Sequence, residues 1–223
     1  MLFKTNARTA AFFDLDGTLV TVNTGKLWMD RERRLKRISL LQVIQAAFYL
    51  TAYRLGIINM KSAMRQVLAV YKGEKEEIVN RWVEEWFAAQ ITKTVAPKAP
   101  DVIMHHRNEG HRLVLLTSSS SYVAKAASAF LGIDYYISTT YEVKNGVFTG
   151  DAVYPLCFSD GKVALAESFA KKYGIDLGQS YFYTDSYTDL PMLKRVGYPR
   201  IVNPDRRLKS YAQQYDWPVL NWY

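Results

Sequence analysis

The first apolar run, Ala10-Ala11-Phe12-Phe13, gives way at once to Asp14-Leu15-Asp16-Gly17-Thr18. A short apolar run that ends in acids and a glycine predicts a buried strand followed by a turn. Between residues 26 and 90 the pattern changes to helical spacing. Ile38, Leu41, Ile44, Phe48 and Leu55 would share one broad face, and Ile78, Trp82, Trp86 and Phe87 mark a further helix. Glu74, Glu76 and Glu77 enrich the start of that helix, where the positive end of its dipole favours acids. These residues read as an insertion of several helices, closed by Pro97 and Pro100.

Beyond the insertion the periods alternate. Strands are expected over 112–117, 134–138, 181–184 and 199–202, and helices over 122–131, 162–173 and 189–196. Gly132 and Gly174 stand where helices should end. Asn145-Gly146 between apolar residues predicts a two-residue hairpin turn, and Asn203-Pro204 predicts a turn after the last strand. Strands alternating with helices imply an α/β fold with a doubly wound parallel sheet. The expected division is an α/β core of residues 1–22 and 96–223 around a smaller all-helical domain of residues 23–95.

Composition narrows the class. The chain has 223 residues, 49% hydrophobic and 22% charged, enough for one large domain or a medium one with a smaller companion, and too apolar for disorder. A lone cysteine, Cys157, excludes an internal disulfide framework and fits a reducing compartment. The apolar run after Thr9 is too brief for a signal-peptide core. The nearest approach to a membrane span, residues 38–53, is broken by Gln42 and Gln45 and stops at Arg54. A cytoplasmic location is expected. The net charge of +8 suits anionic partners, whether phosphorylated metabolites, nucleic acid or acidic lipid.

Four segments carry candidate chemistry. Asp14 and Asp16 are two residues apart just past a strand, so their side chains point the same way if the chain stays extended. In an open parallel sheet the carboxyl ends of the strands line the ligand crevice. Gly17 allows a sharp turn there, although Asp and Gly are also common in plain turns. Thr117-Ser118-Ser119 puts hydroxyls at a strand end before a helix, where they can hold a phosphate oxygen or simply cap the helix. Lys162 lies near a helix start, against the dipole, and could neutralise a bound phosphate. Asp185 and Asp189 follow another strand; their oxygens suit a hard cation such as magnesium, or a helix cap.

Taken together and in order, these segments resemble the four motifs of the haloacid dehalogenase-like superfamily, over essentially the whole chain. The helices inserted after the first motif resemble the cap of its phosphoserine phosphatase branch, and Asp189-Leu190-Pro191-Met192-Leu193 with Asn203-Pro204-Asp205 resembles a bacterial subgroup of it. The resemblance implies a phosphatase in which Asp14 is the nucleophile and forms an aspartyl-phosphate. It implies that Asp16 is the acid and base. Mg2+ would be held by Asp14, the Asp16 backbone carbonyl and Asp185, with Asp189 securing the site. Gly17 and Thr18 of the first motif, Thr117, Ser118 and Lys162 would surround the phosphoryl group. The expected partner is a small phosphorylated substrate, with nucleic acid not expected. Carboxylates of Asp14 and Asp185 lying far apart, or an ion pair filling the cavity, would exclude the reaction.

The insertion should select the leaving group. Phosphoserine phosphatases carry an acid near the position of Asn23, which is uncharged, and an arginine near the position of Arg65, where an ungapped comparison puts Gln66. Both departures speak against phosphoserine, and Asn23 and Arg65 remain candidate substrate contacts. Lys26, Arg31, Arg33, Arg34, Lys36 and Arg37 cluster before the 38–53 segment. They allow peripheral contact with an anionic membrane and a phospholipid-derived substrate; a solvated basic helix leading into a buried one is the favoured reading. Trp28, Trp82 and Trp86 could line a pocket or form core. His105, His106 and His111 read as surface or packing residues, Cys157 as a buried thiol, and Trp217, Trp222 and Tyr223 as a packed tail. Phosphoryl transfer to an acceptor other than water would use the same nucleophile. A non-enzymatic protein binding anionic ligands through the basic helices is the alternative of a different class.

Overall fold

The computed structural model describes residues 8–54 and 57–223. Leu55, one of the expected helix-face positions, lies outside them. The chain begins with β1 (Ala10–Phe13), followed by α1 (Thr24–Arg34), α2 (Leu40–Arg54), α3 (Met60–Leu68), α4 (Glu76–Trp86) and α5 (Ala99–Asn108). Then come β2 (Arg112–Ser120), α6 (Ser121–Leu131), β3 (Tyr135–Thr139), β4 (Tyr141–Lys144), β5 (Val147–Ala152) and α7 (Asp160–Tyr173). The chain closes with β6 (Tyr181–Thr184), α8 (Leu190–Arg195), β7 (Tyr198–Val202), α9 (Arg206–Gln214) and β8 (Val219–Leu220).

Six strands form a parallel sheet in the order β3-β2-β1-β6-β7-β8. Side chains alternate between two cores, as the two-residue period of a strand requires. Phe13, Leu115 and Tyr183 face one, and Phe12, Val114 and Phe182 face the other. Burial on both faces explains why these strands read as continuous apolar runs. β1 pairs with β2 on one side and β6 on the other. The connections diverge there, which opens a crevice at the carboxyl end of β1, where Asp14 emerges.

The helices α1 to α4 form a layer over that crevice. The β4–β5 hairpin is stitched to this layer: Gly73 N–H donates to Phe148 O at 3.0 Å, and Phe148 N–H donates to Glu74 O at 3.0 Å. Its turn has Asn145 at φ 54° and Gly146 at φ 74°, the left-handed pair that the Asn-Gly signal predicts. Among the described residues no helix is long and apolar enough to cross a membrane.

Three expectations need correction. β2 runs on to Ser120 rather than stopping at residue 117, and α9 and β8 extend the fold beyond the Asn203-Pro204 turn. The third concerns α2, expected to be a buried helix. Leu41, Ile44 and Phe48 are 63%, 56% and 66% exposed, and Ala46 is its one buried apolar residue among those described. α2 packs on α3. A helix covered from one side leaves the rest of its apolar residues in water.

Candidate active site

The loop after β1 and the loop after β6 are docked together. Asp14 N–H donates to Tyr183 O at 2.8 Å, which carries the ladder one residue past the strand. Gly17 has φ +71°, and a Cβ there would lie 2.2 Å from Asp185 Oδ2. A glycine is therefore needed both for the turn and for the approach of Asp185. The Thr18 hydroxyl donates to Asp185 Oδ1 at 3.4 Å.

Asp16 is held separately. Its Oδ1 accepts Thr24 N–H at 2.9 Å and its Oδ2 accepts the Ser119 hydroxyl at 3.3 Å. The Ser119 and Thr24 hydroxyls are 3.1 Å apart. Thr117 is buried within β2, and its oxygen accepts Ser119 N–H at 3.2 Å.

Lys162 enters from the first turn of α7. Gly161 makes this possible, since a Cβ there would sit 1.9 Å from Leu156 O. The ammonium donates to Asp14 Oδ1 at 2.9 Å and to Asp189 Oδ2 at 2.7 Å, and Asp189 Oδ2 also accepts the Thr184 hydroxyl at 2.7 Å. Asp189 is thus joined to the lysine.

Lys162 and Asp189 are each 2% exposed and Asp14 is 6% exposed. An open space of about 260 Å³ is lined by Asp16, Asn23, Trp28, Tyr71, Ser118 and Ser119, among others, and reaches the acidic cluster through Asp16; Asp14, Lys162, Asp185 and Asp189 are not in its lining. Asp14 Oδ2 makes no hydrogen bond among the described residues.

The site is crowded with acids around one lysine. Burial disfavours the charge on Lys162, but Asp14 and Asp189 outweigh it and raise its pKa, so it stays protonated. Burial raises Asp14, with Asp189 and Asp185 adding repulsion against the pull of Lys162. Burial, with repulsion from Asp189, pushes Asp185 up to about 7. Burial also raises Asp16 against the hydrogen bonds from Thr24 and Ser119. Acidic groups outnumber the single lysine. A hard cation on the Asp14 and Asp185 oxygens would relieve that imbalance.

The donor set fits such an ion. No group of three or more His, Cys, Asp or Glu side chains able to hold a metal occurs among the described residues. Magnesium, however, takes few protein oxygens and keeps waters. Gly17 leaves the space in which the Asp185 carboxylate sits. The Asp16 carboxylate is held by Thr24 and Ser119.

The other candidates divide between the pocket wall, the core and the surface. Arg65 pairs with Asp151 on β5 at 2.7 Å, with its side chain 56% exposed, and lines neither the pocket nor a chamber of about 510 Å³ between α1, α2 and α3. Its partner in this structure is that surface carboxylate. Gln66 lines the chamber instead. Asn23 lines the pocket and also caps α1, its side chain accepting Lys26 N–H at 2.8 Å. Trp86 is core, Trp82 lies under the Arg37 guanidinium, and Trp28 lines the pocket. Cys157 is fully buried among core residues, where burial pushes its thiol up to about 12. His106 is buried under the sheet and bonded to Tyr183 and His111.

Sequence reasoning missed Thr24, Thr184 and Tyr223, whose hydroxyl donates to Gly17 O at 2.9 Å. The hydroxyl run from Thr117 to Ser121 was the visible signal for Ser119. Nothing local marks Thr24 or Tyr223.

The haloacid dehalogenase-like hydrolase family model matches residues 11–194. The chain belongs to that family. A histidinol-phosphatase of Neisseria meningitidis is 26% identical over 220 residues, 96% of this chain and 99% of its own length. A phosphoserine phosphatase of Mycobacterium tuberculosis is 29% identical over 215 residues, 94% of this chain and 70% of its own. A crystal structure from Bordetella pertussis Tohama I, described as a protein with unknown function, superposes with a TM-score of 0.86 at 28% identity, covering 97% of this chain and 99% of that one. The protein is a haloacid dehalogenase-like phosphohydrolase.

Proposed function

We propose that the protein hydrolyses a phosphomonoester with magnesium, through an aspartyl-phosphate on Asp14. The observation that carries this reading is the meeting of Lys162 with Asp14 at 2.9 Å beside a pocket walled by Asp16 and the Ser118–Ser119 hydroxyls. An Asp14 oxygen attacks phosphorus and the ester P–O bond breaks. Asp16, whose burial helps it keep a proton, delivers that proton to the departing oxygen. It then takes a proton from the water that attacks phosphorus, and the aspartyl bond breaks to release inorganic phosphate. Thr117, Ser118 and Lys162 surround the phosphoryl oxygens, with Gly17 and Thr18 shaping the loop. Asp14, Asp185 and the Asp16 carbonyl would hold magnesium, which would supply the positive charge that lets an anionic nucleophile meet an anionic phosphate. Asp189 orients Lys162. The helical layer, residues 23–95, acts as the cap.

The test is hydrolysis of p-nitrophenyl phosphate with magnesium, after EDTA, and after magnesium is restored. Activity is expected to vanish and return. Acid quenching of labelled substrate should leave phosphate on the chain. Turnover indifferent to EDTA would reject the reading.

The relatives bear the names of two different substrates, and neither transfers to this chain. One observation favours work at an anionic membrane surface. Leu40, Leu41, Ile44 and Phe48 are exposed, and the exposed Arg33, Arg34, Lys36 and Arg37 lie just before them in the chain. Flotation with acidic liposomes should carry the protein upward; sedimentation with the free fraction would remove this second reading.

A further inference from the structure

The pocket beside Asp16 is not a closed cell. A second space of about 510 Å³ lies in the helical layer, between α1, α2 and α3. Asn23, Gly25, Trp28, Tyr71 and Tyr141 line both spaces, so one leads into the other. Its size is within the range of small-molecule binding pockets.

The chamber wall is largely apolar. Met29, Val43, Ala46, Val67, Leu68 and Val70 supply it. Its one acidic residue is already neutralised, since Glu32 is paired with Arg31 and Arg37. At the passage between the spaces, Trp28 Nε1 donates to the Tyr71 hydroxyl. The two rings satisfy each other's polar ends and leave their apolar faces to an occupant. A leaving group bearing both an ammonium and a carboxylate would find only Lys26 unpaired among the charged groups lining this wall.

The geometry points to a substrate whose leaving group carries an apolar chain, seated in the α1–α2–α3 chamber while its phosphate meets Asp14. This rests on the phosphomonoesterase reading for the phosphate end alone. The occupant class is a phosphomonoester amphiphile, whether dispersed singly or drawn from a lipid surface. Each methylene that enters the chamber should tighten binding about fourfold, until the chamber is full.

Calorimetric binding of alkyl phosphonates of rising chain length, to the magnesium-loaded protein and below their micelle concentrations, tests this. Matching alkyl alcohols form a second series. Affinity should climb with chain length in both series and then level off. Ala46→Phe and Val43→Trp, two separate intrusions into the chamber, should each lower the long-to-short affinity ratio at least tenfold. Two variants guard against one that fails to fold, as judged by its melting curve. Chain-dependent binding of alcohols with no gain from the phosphonate would keep the chamber and sink the phosphate site. Affinity independent of length in both series, or a ratio untouched by the folded variants, would overturn the inference. Repeating the longest phosphonate in neutral phosphatidylcholine vesicles distinguishes the sources: co-flotation marks a membrane-borne ligand, and binding of the monomer alone a dispersed one.

Discussion

The floor and the roof of this active site are built on opposite terms. On the floor, Asp16, Lys162 and Asp189 each make two side-chain hydrogen bonds or more and are buried or half-buried. In the roof, α2 packs on α3 and turns much of its apolar surface outward. A crowded, low-dielectric floor holds charges in one geometry and magnifies their effect. A thin apolar roof can change its shape and its occupant without disturbing them. Chemistry is therefore expected to depend on the floor, and selectivity on the roof.

The largest effect tests the floor. Asp14→Asn should cost about 10⁵-fold or more in kcat on every phosphate ester alike, the scale of losing a covalent nucleophile. A loss confined to long-chain substrates would break the division between layers. Gly17→Ala comes next, because its Cβ would collide with Asp185 Oδ2 at 2.2 Å and the backbone is left-handed there. Magnesium titration of activity should show affinity about 10–100-fold weaker, again for every substrate. Unchanged affinity would detach Asp185 from the metal site.

A third effect concerns stability beneath the floor. Burial, helped by His111 and His105, lowers His106 to about 3, whereas the unfolded residue titrates near 6.5. Below pH 6.5 the unfolded chain takes the proton and the folded one does not. The stability this residue contributes is present above pH 6.5 and lost on acidification. Denaturant melts should show wild type losing on the order of 1–2 kcal/mol more than His106→Gln between pH 6.5 and 5. Parallel pH curves would refute this. The difference between variants matters, because raised acids such as Asp185 act in the other direction over the same range.

The smallest effect is in the roof. Arg65→Ala removes a solvent-screened pair with Asp151, and the thermal melt should barely shift. KM for short phosphate esters should stay within about twofold. A large rise in KM would return Arg65 to the substrate.

Legibility followed the range of the interaction. Strands buried on both faces announce themselves as apolar runs, and Gly132, Asn145-Gly146 and Gly174 mark turns and helix ends through backbone geometry that few other residues adopt. Asp14, Asp16, Lys162, Asp185 and Asp189 could be singled out because each follows a strand or opens a helix at a recognisable spacing. The helical character of residues 40–54 was visible too, but their exposure was not, since periodicity tells which residues share a face and says nothing of what covers it.

Local order, the parallel α/β plan and the acids at the strand ends are thus written in neighbouring residues, where backbone sterics and side-chain period act. The folded chain alone specifies the partners: Arg65 with Asp151, 86 residues apart, Thr24 with Ser119, 95 apart, and Tyr223 with Gly17, 206 apart. The same holds for the apolar chamber, whose walls come from helices that each look ordinary by themselves. Contacts between distant segments depend on how whole elements pack, and no short stretch of residues encodes that packing.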